Sequence, residues 1–257
     1  MNPVAVLVGT AEGTGLAAAV RLAESGLDIA LVDPGPASAD ETLRRITAVG
    51  RRCTAIEADP ADTGAFSAAL ARIRSDLGRP DMLLTCVGTG PDEEDESQGA
   101  DVTAGVARYA PVRRALRTLF VTNRAAAGEM LRGGGGRIVN VARAPRTERT
   151  AGDTGRTLVA GLAGFTASVA PELAPFGISV HFVAPAALRP GTRPPVGTAP
   201  PADPGSYPEH LADQAALLTG APAAALTGQG VYLPGRPPAR HPAPTPTPTS
   251  RGTVATP

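Results

Sequence analysis

The stretch Val4–Gly15, VAVLVGTAEGTG, decides the fold. Five apolar residues, Val4–Val8, read as a strand buried on both faces. Gly9, Gly13 and Gly15 then punctuate a tight turn, and the small-residue run Leu16–Glu24 reads as a helix. Strand, glycine turn and helix start is the arrangement whose backbone N–H groups hold a dinucleotide pyrophosphate against a helix N-terminus. The same glycines also meet a bare need for positive φ and close packing in a strand-to-helix turn, so residual dinucleotide binding and a purely structural turn both stand as readings.

Outward from this unit the alternation continues. Short apolar runs at Ile29–Val32, Thr54–Glu57, Met82–Val87, Ile138–Val141, Ser179–Val183 and Val231–Leu233 read as further strands. Helical patterns at Leu16–Ser25, Asp40–Val49, Ala65–Leu77, Val112–Leu131, Gly155–Leu173 and Glu209–Leu218 separate most of them. Such a chain builds an α/β fold, a Rossmann-type doubly wound parallel sheet, with ligands at the carboxyl ends of the strands. Residues 1–235 are read as one domain. The tail Arg236–Pro257, with PAPTPTPTS, is prone to polyproline conformation, cannot contribute to a core and is expected to be disordered.

Composition narrows the function. The chain has 257 residues and a formal net charge of zero, which argues against a general nucleic-acid or membrane-surface binder, since both need a basic excess. The expectation is a cytoplasmic protein with no membrane span, because the N-terminus enters a strand directly and no apolar run approaches spanning length. The two cysteines, Cys53 and Cys86, lack a CxxC spacing and a nearby histidine, so they read as reduced thiols and give no metal site. All 24 residues counted as Lys+Arg are arginine. Arginine without lysine amid abundant Ala, Gly and Pro also reads as the codon bias of a GC-rich genome.

Landmarks in order from Val4 to Gly235 resemble the short-chain dehydrogenase/reductase family. GTAEGTG stands where that family has its glycine loop, Asp33 closes the second strand, and Asp59 follows the third. GRPDMLLTCVG, ending on Gly88, stands for the strand-four motif, and LFVTNRAAAGEMLRGGGGRIVNV resembles the fourth helix and fifth strand. AGLAGFTASVAPELAPFGISVHFVAPA resembles the next helix and strand. The resemblance implies cofactor contacts from Gly9, Gly13, Gly15, Asp33, Asp59 and Gly88. Asp33 would accept hydrogen bonds from an adenosine ribose and repel a 2′-phosphate, with Glu12 adding to the repulsion, so NAD is expected over NADP.

The catalytic set does not carry over. The family's serine falls on Arg143, or on Ala142 if the register slips by one, its tyrosine on Gly155, its lysine on Val159 and its helix-four asparagine on Ala115. Hydride transfer to a carbonyl needs an acid for the developing alkoxide, and a tyrosine serves near neutral pH only beside a cation that lowers its pKa. Arginine does not release a proton at working pH, although it binds anions well. Arg143, Arg146, Arg149 and Arg156, with Asp153, therefore read either as a solvated loop or as a candidate anion pocket for a small acid or an acyl-carrier-bound substrate. Cys86 is a candidate pocket group beside Arg143 and Arg156, or a small buried strand residue. The acidic run Asp92–Glu96 reads as solvated, or as a partner for those arginines.

Three functional readings follow: a pseudoenzyme or non-catalytic subunit of an oligomer, a non-redox enzyme with an arginine-lined pocket, and an NAD-responsive regulator. The resemblance implies an oligomer, with itself or with an intact relative. Leu116, Leu119, Gly161 and Gly164 on the two family interface helices are expected to be buried against another subunit.

Overall fold

The computed structural model describes residues 2–10, 13–35, 39–89, 109–143, 153–189, 207–218 and 227–233. Glu12, Asp92–Glu96, Arg146, Arg149, the side chain of Asp153 and the tail Arg236–Pro257 lie outside the described residues. Seven strands form one wholly parallel sheet: β1 Val4–Val8, β2 Asp28–Asp33, β3 Cys53–Glu57, β4 Pro80–Val87, β5 Gly136–Ala142, β6 Ile178–Pro185 and β7 Gly230–Leu233. Six described α-helices accompany them: α1 Gly13–Glu24, α2 Asp40–Ala48, α3 Thr63–Asp76, α4 Ala110–Gly133, α5 Asp153–Leu173 and α6 Tyr207–Leu217. The strand order β3-β2-β1-β4-β5-β6-β7 reverses direction between β1 and β4, which opens a crevice at the carboxyl ends of those two strands.

Side-chain alternation explains why the strands read as unbroken apolar runs. On β1, Ala5 and Leu7 enter the core that holds Ala18, Leu22 and Leu211 of α1 and α6. Val4, Val6 and Val8 enter the opposite core, with Phe66, Ile73 and Met130 of α3 and α4. Both faces are covered, as a parallel sheet requires. Beneath α4 lies a paired polar layer. Asn123 and Asn140 exchange amide hydrogen bonds at 2.9 and 3.0 Å, and the hydroxyls of Thr85 and Thr122 meet at 3.2 Å.

Two expectations are corrected here. Leu119 is fully buried within the subunit, and a Cβ on Gly161 would stand 2.9 Å from Leu116 Cδ2. Leu119 thus lies inside the subunit rather than on an external face, and Leu116 and Gly161, both half-buried, pack α4 on α5, while Gly164 has open space before it. The outward stripe of α4 instead carries Arg113, Arg117, Phe120, Arg124 and Leu131, all exposed. The second correction concerns length and apolarity: Thr154–Phe176, α5 with its short 3-10 extension, reaches a mean hydropathy of 1.3 and passes the test for a membrane span. Its alanines and glycines raise the hydropathy, and Leu158, Val159 and Leu162 are buried beside Phe182 and Ala184 of β6, as in a helix laid on a sheet.

One buried charge locks the N-terminal half. Asp28, inaccessible at the start of β2, accepts from Arg52 Nε at 2.8 Å and Arg52 N at 3.1 Å. The same guanidinium donates to the carbonyls of Asp76 and Leu77, where a cation suits the C-terminus of α3. Burial works against the Asp28 carboxylate, but the hydrogen bonds and charge of Arg52, with a bond from Asn2, outweigh it and hold its pKa below 3.8. Arg52→Ala is expected to cost about 2 kcal/mol, less than the ~3–5 for breaking a wholly buried pair because Arg52 is half-exposed. Asp28→Ala should cost less, since the freed guanidinium can be hydrated. A depressed carboxylate pKa stabilises the fold above about pH 3.8 and ceases to as pH falls through the folded value, so urea midpoints of wild type and Asp28→Ala should converge in acid.

Candidate cofactor site and the positions of the catalytic set

The crevice floor is the turn after β1. Gly9 has φ of 71°, and a Cβ there would overlap the carbonyl oxygen of Cys86, so β1 and β4 approach closely only because this residue is glycine. At Gly15 a Cβ would stand 2.6 Å from Thr10, which presses the first turn of α1 against the end of β1. Gly13 begins α1, as the glycine loop requires. These contacts account for Gly9 and Gly15 without a ligand and also form the cradle a pyrophosphate uses; the residues present fit a dinucleotide's phosphates.

Asp33, expected at a ribose, sits at the end of β2 only 4% exposed. Its carboxylate accepts from Thr10 N at 3.0 and 3.1 Å and from Thr10 Oγ1 at 2.7 Å. Burial raises its pKa above the ordinary 3.8; the Thr10 bonds, a Gly9 backbone bond and the charge of Arg143 offset this only in part. Asp33 therefore staples the glycine turn to β2, a role the sequence reading missed. Asp59 is tied as well: its Oδ1 accepts from Ala61 N at 2.9 Å and from Arg114 Nη2 of α4 at 3.1 Å.

Cys86 is a core residue, 3% exposed among Val139, Val141 and Leu84. Burial pushes its thiol up to about 12, despite the opposing charge of Arg143, with Asp33 adding to the rise. The reading of Cys86 as a pocket group gives way to that of a small buried strand residue, because a thiol so placed is enclosed and held protonated. Arg143 leaves β5 with its N–H bonded to Val87 O at 2.7 Å. Its guanidinium lies on Gly88: a Cβ added there would be 2.8 Å from Nε and 3.2 Å from Nη2. Arg156 is half-buried on the first turn of α5.

The other three family positions are apolar and enclosed. Ala115 and Val159 share a cluster with Val112, Leu119, Ala142, Leu158 and Leu162; Val159 is fully inaccessible, Ala115 is 5% exposed, and Gly155 is buried one turn earlier. Two tyrosines lie among the described side chains. Tyr109 is exposed before α4. Tyr232 packs edge-on to Phe182 with Arg189 5.2 Å from its ring; burial raises its hydroxyl pKa and Arg189 offsets this in part. The described residues hold no cluster of His, Cys, Asp and Glu fit for a metal.

A sequence profile described as short chain dehydrogenase matches residues 3–199. The chain belongs to this family. The short-chain dehydrogenase/reductase family member NovK of Streptomyces niveus is 39% identical over 239 residues, 92% of this chain and 96% of NovK. A short-chain reductase protein, NovJ, also of Streptomyces niveus, is 32% identical over 190 residues, 71% of this chain and 68% of NovJ. Among solved structures, a variant of actinorhodin polyketide ketoreductase with NADPH superposes with a TM-score of 0.71 at 25% identity, covering 91% of this chain and 96% of that one. The short-chain dehydrogenase family binds NAD(P), and the strand order, glycine turn and crevice described above are those of its Rossmann-type fold.

Proposed function

We propose that this short-chain dehydrogenase-fold chain is a non-catalytic subunit of an oligomer, cytoplasmic, with residual binding of NAD in preference to NADP. The observation that carries the reading is the apolar cluster around Ala115 and Val159, where the family resemblance places an asparagine and a lysine. Polar groups of a proton path are replaced there by packed side chains, and no described acid stands in for them. Asp33 puts an acidic group at the end of β2, which disfavours a 2′-phosphate.

Assembly is supported by the outward stripe of α4. Phe120 is 56% and Leu131 45% exposed, flanked by Arg113, Arg117 and Arg124, and aromatic and arginine side chains are enriched at protein interfaces. A cleft of about 320 Å³ beside it is lined by Thr63, Ser67, Phe120, Arg124 and Arg132. Two relatives of this chain occur in the single organism Streptomyces niveus, which suits a pairing of unlike subunits. Multi-angle light scattering is expected to report an oligomer, either of this chain alone or on mixing with an intact family member from the same genome. A monomer under both conditions removes the subunit reading.

A second reading is kept for the position of Arg143: a non-redox enzyme of specialised metabolism, holding an anionic or acyl-carrier-bound substrate. Its signature would be loss of a product in Arg143→Ala with assembly intact.

A further inference from the structure

The reversal of strand order between β1 and β4 fixes where an extended ligand must run: outside the carboxyl ends of these two strands. Gly88 is the first residue beyond β4, and its bare Cα leaves room there. In this chain that room is taken. Arg143 enters from the end of β5, anchored by its N–H on Val87 O, and lays its guanidinium over Gly88 with Nε, Cζ and Nη2 all 2.8–3.3 Å from where a Cβ would be. Its charge reaches the carboxylate of Asp33 at the end of β2 and the sulfur of Cys86 within β4. One side chain thus crosses from the end of β5 over the end of β4, with its charge felt at Asp33 on β2.

We propose that Arg143 is an internal occupant of the dinucleotide crevice, lying over Gly88 where the cofactor would pass, so that NAD binds only when this side chain swings out. The proposal rests on the reading that the crevice retains dinucleotide affinity. Two physical terms hold the arginine in. It fills the volume over Gly88, and it offsets the negative charge of a carboxylate buried in low dielectric, where opposite charges attract more strongly than in water. A cofactor entering the crevice must displace the first and forfeit part of the second. Its apparent affinity then falls by the fraction of molecules in which the site is open.

Calorimetric titration of NAD into wild type, Arg143→Ser and Arg143→Ala tests this directly. Both substitutions keep the backbone bond to Val87 and shorten a half-buried side chain, and their melting temperatures relative to wild type monitor the fold. The expected result is NAD binding at least 10-fold tighter in both variants than in wild type. Equal or weaker binding in the variants, with measurable binding in wild type, overturns the proposal while leaving the cofactor reading in place, and weaker binding makes Arg143 an anion clamp. Absence of binding in all three proteins overturns the proposal and the cofactor reading together. Arg143→Ser reinstates the hydroxyl residue the family resemblance places there, yet it should not restore turnover, because Gly155 and Val159 remain.

Discussion

Supplied with NADH or NADPH and a panel of ketones, the purified chain is expected to turn over at least about 10⁴-fold more slowly than an intact family member assayed alongside it. A single positioned acid contributes roughly 10²–10⁴ in rate. At the position where the family resemblance places its cationic partner stands a valine with no solvent exposure inside an apolar cluster. Water cannot readily stand in for the lysine, because the cluster of Val159, Leu158, Leu162 and Ala115 offers no partners to hold one. Nor does Tyr232 compensate, since its hydroxyl is shifted away from neutrality and not toward it. Steady-state absorbance at 340 nm, with the protein at micromolar concentration, checks the prediction. Robust turnover that is abolished by changing a crevice residue such as Asp33 would overturn the non-catalytic reading.

The second large effect is expected at Gly9. Gly9→Ala places a Cβ on a residue with φ of 71° and drives it into the carbonyl oxygen of Cys86. The left-handed conformation costs about 1–2 kcal/mol for a residue with a side chain. Overpacking adds about 1–3 kcal/mol or more, and the upper end applies because the obstructing atom is backbone in the central strand of the sheet. Against a typical stability of about 5–15 kcal/mol, the expected loss of ~4 kcal/mol leaves a marginal protein. Gly26→Ala is the matched control. Gly26 also has positive φ, at 100°, but nothing lies within 4 Å of its added Cβ, so only the conformational cost applies. Urea denaturation of the two variants separates the terms; similar midpoints would show that β1 and β4 can part without penalty.

The fold was legible because parallel strands buried on both faces leave unmistakable apolar runs, and glycines mark the turn after the first of them. Every predicted strand and helix was found, most of them extended by one to three residues at an end, as with Gly136–Ala142 for the predicted Ile138–Val141. The site was legible only as a set of positions. Sequence order placed Arg143, Gly155, Val159 and Ala115 relative to the family, but it could not show that Ala115 and Val159 would meet in one cluster. It also could not reveal that Asp33 is held by Thr10, for both oxygens of a carboxylate are available to any donor that folding brings near. Arg143 was named as a pocket candidate, but where its side chain points stayed open. A long flexible side chain at a strand end can point into a crevice or out to water, and that choice depends on Gly88, fifty-five positions earlier in the chain. Helix packing could not be apportioned from sequence because a small residue in a helix serves close packing within a subunit and between subunits alike; Gly161 against Leu116 is the former.

The Asn123–Asn140 pair bears on how such a chain can depart from its relatives. Each amide gives one hydrogen to the other and takes one back, so the two form a closed ring between α4 and β5. A slide of the helix by one residue would leave two amides buried without partners, at a cost of about 1–3 kcal/mol for each unsatisfied group. The helix is therefore indexed to the sheet by a contact that takes no part in chemistry. Ala115, two turns upstream on the same helix, can change without shifting the register of anything around it. Structure and reactivity are in this way held by separate residues, and drift in one need not unsettle the other.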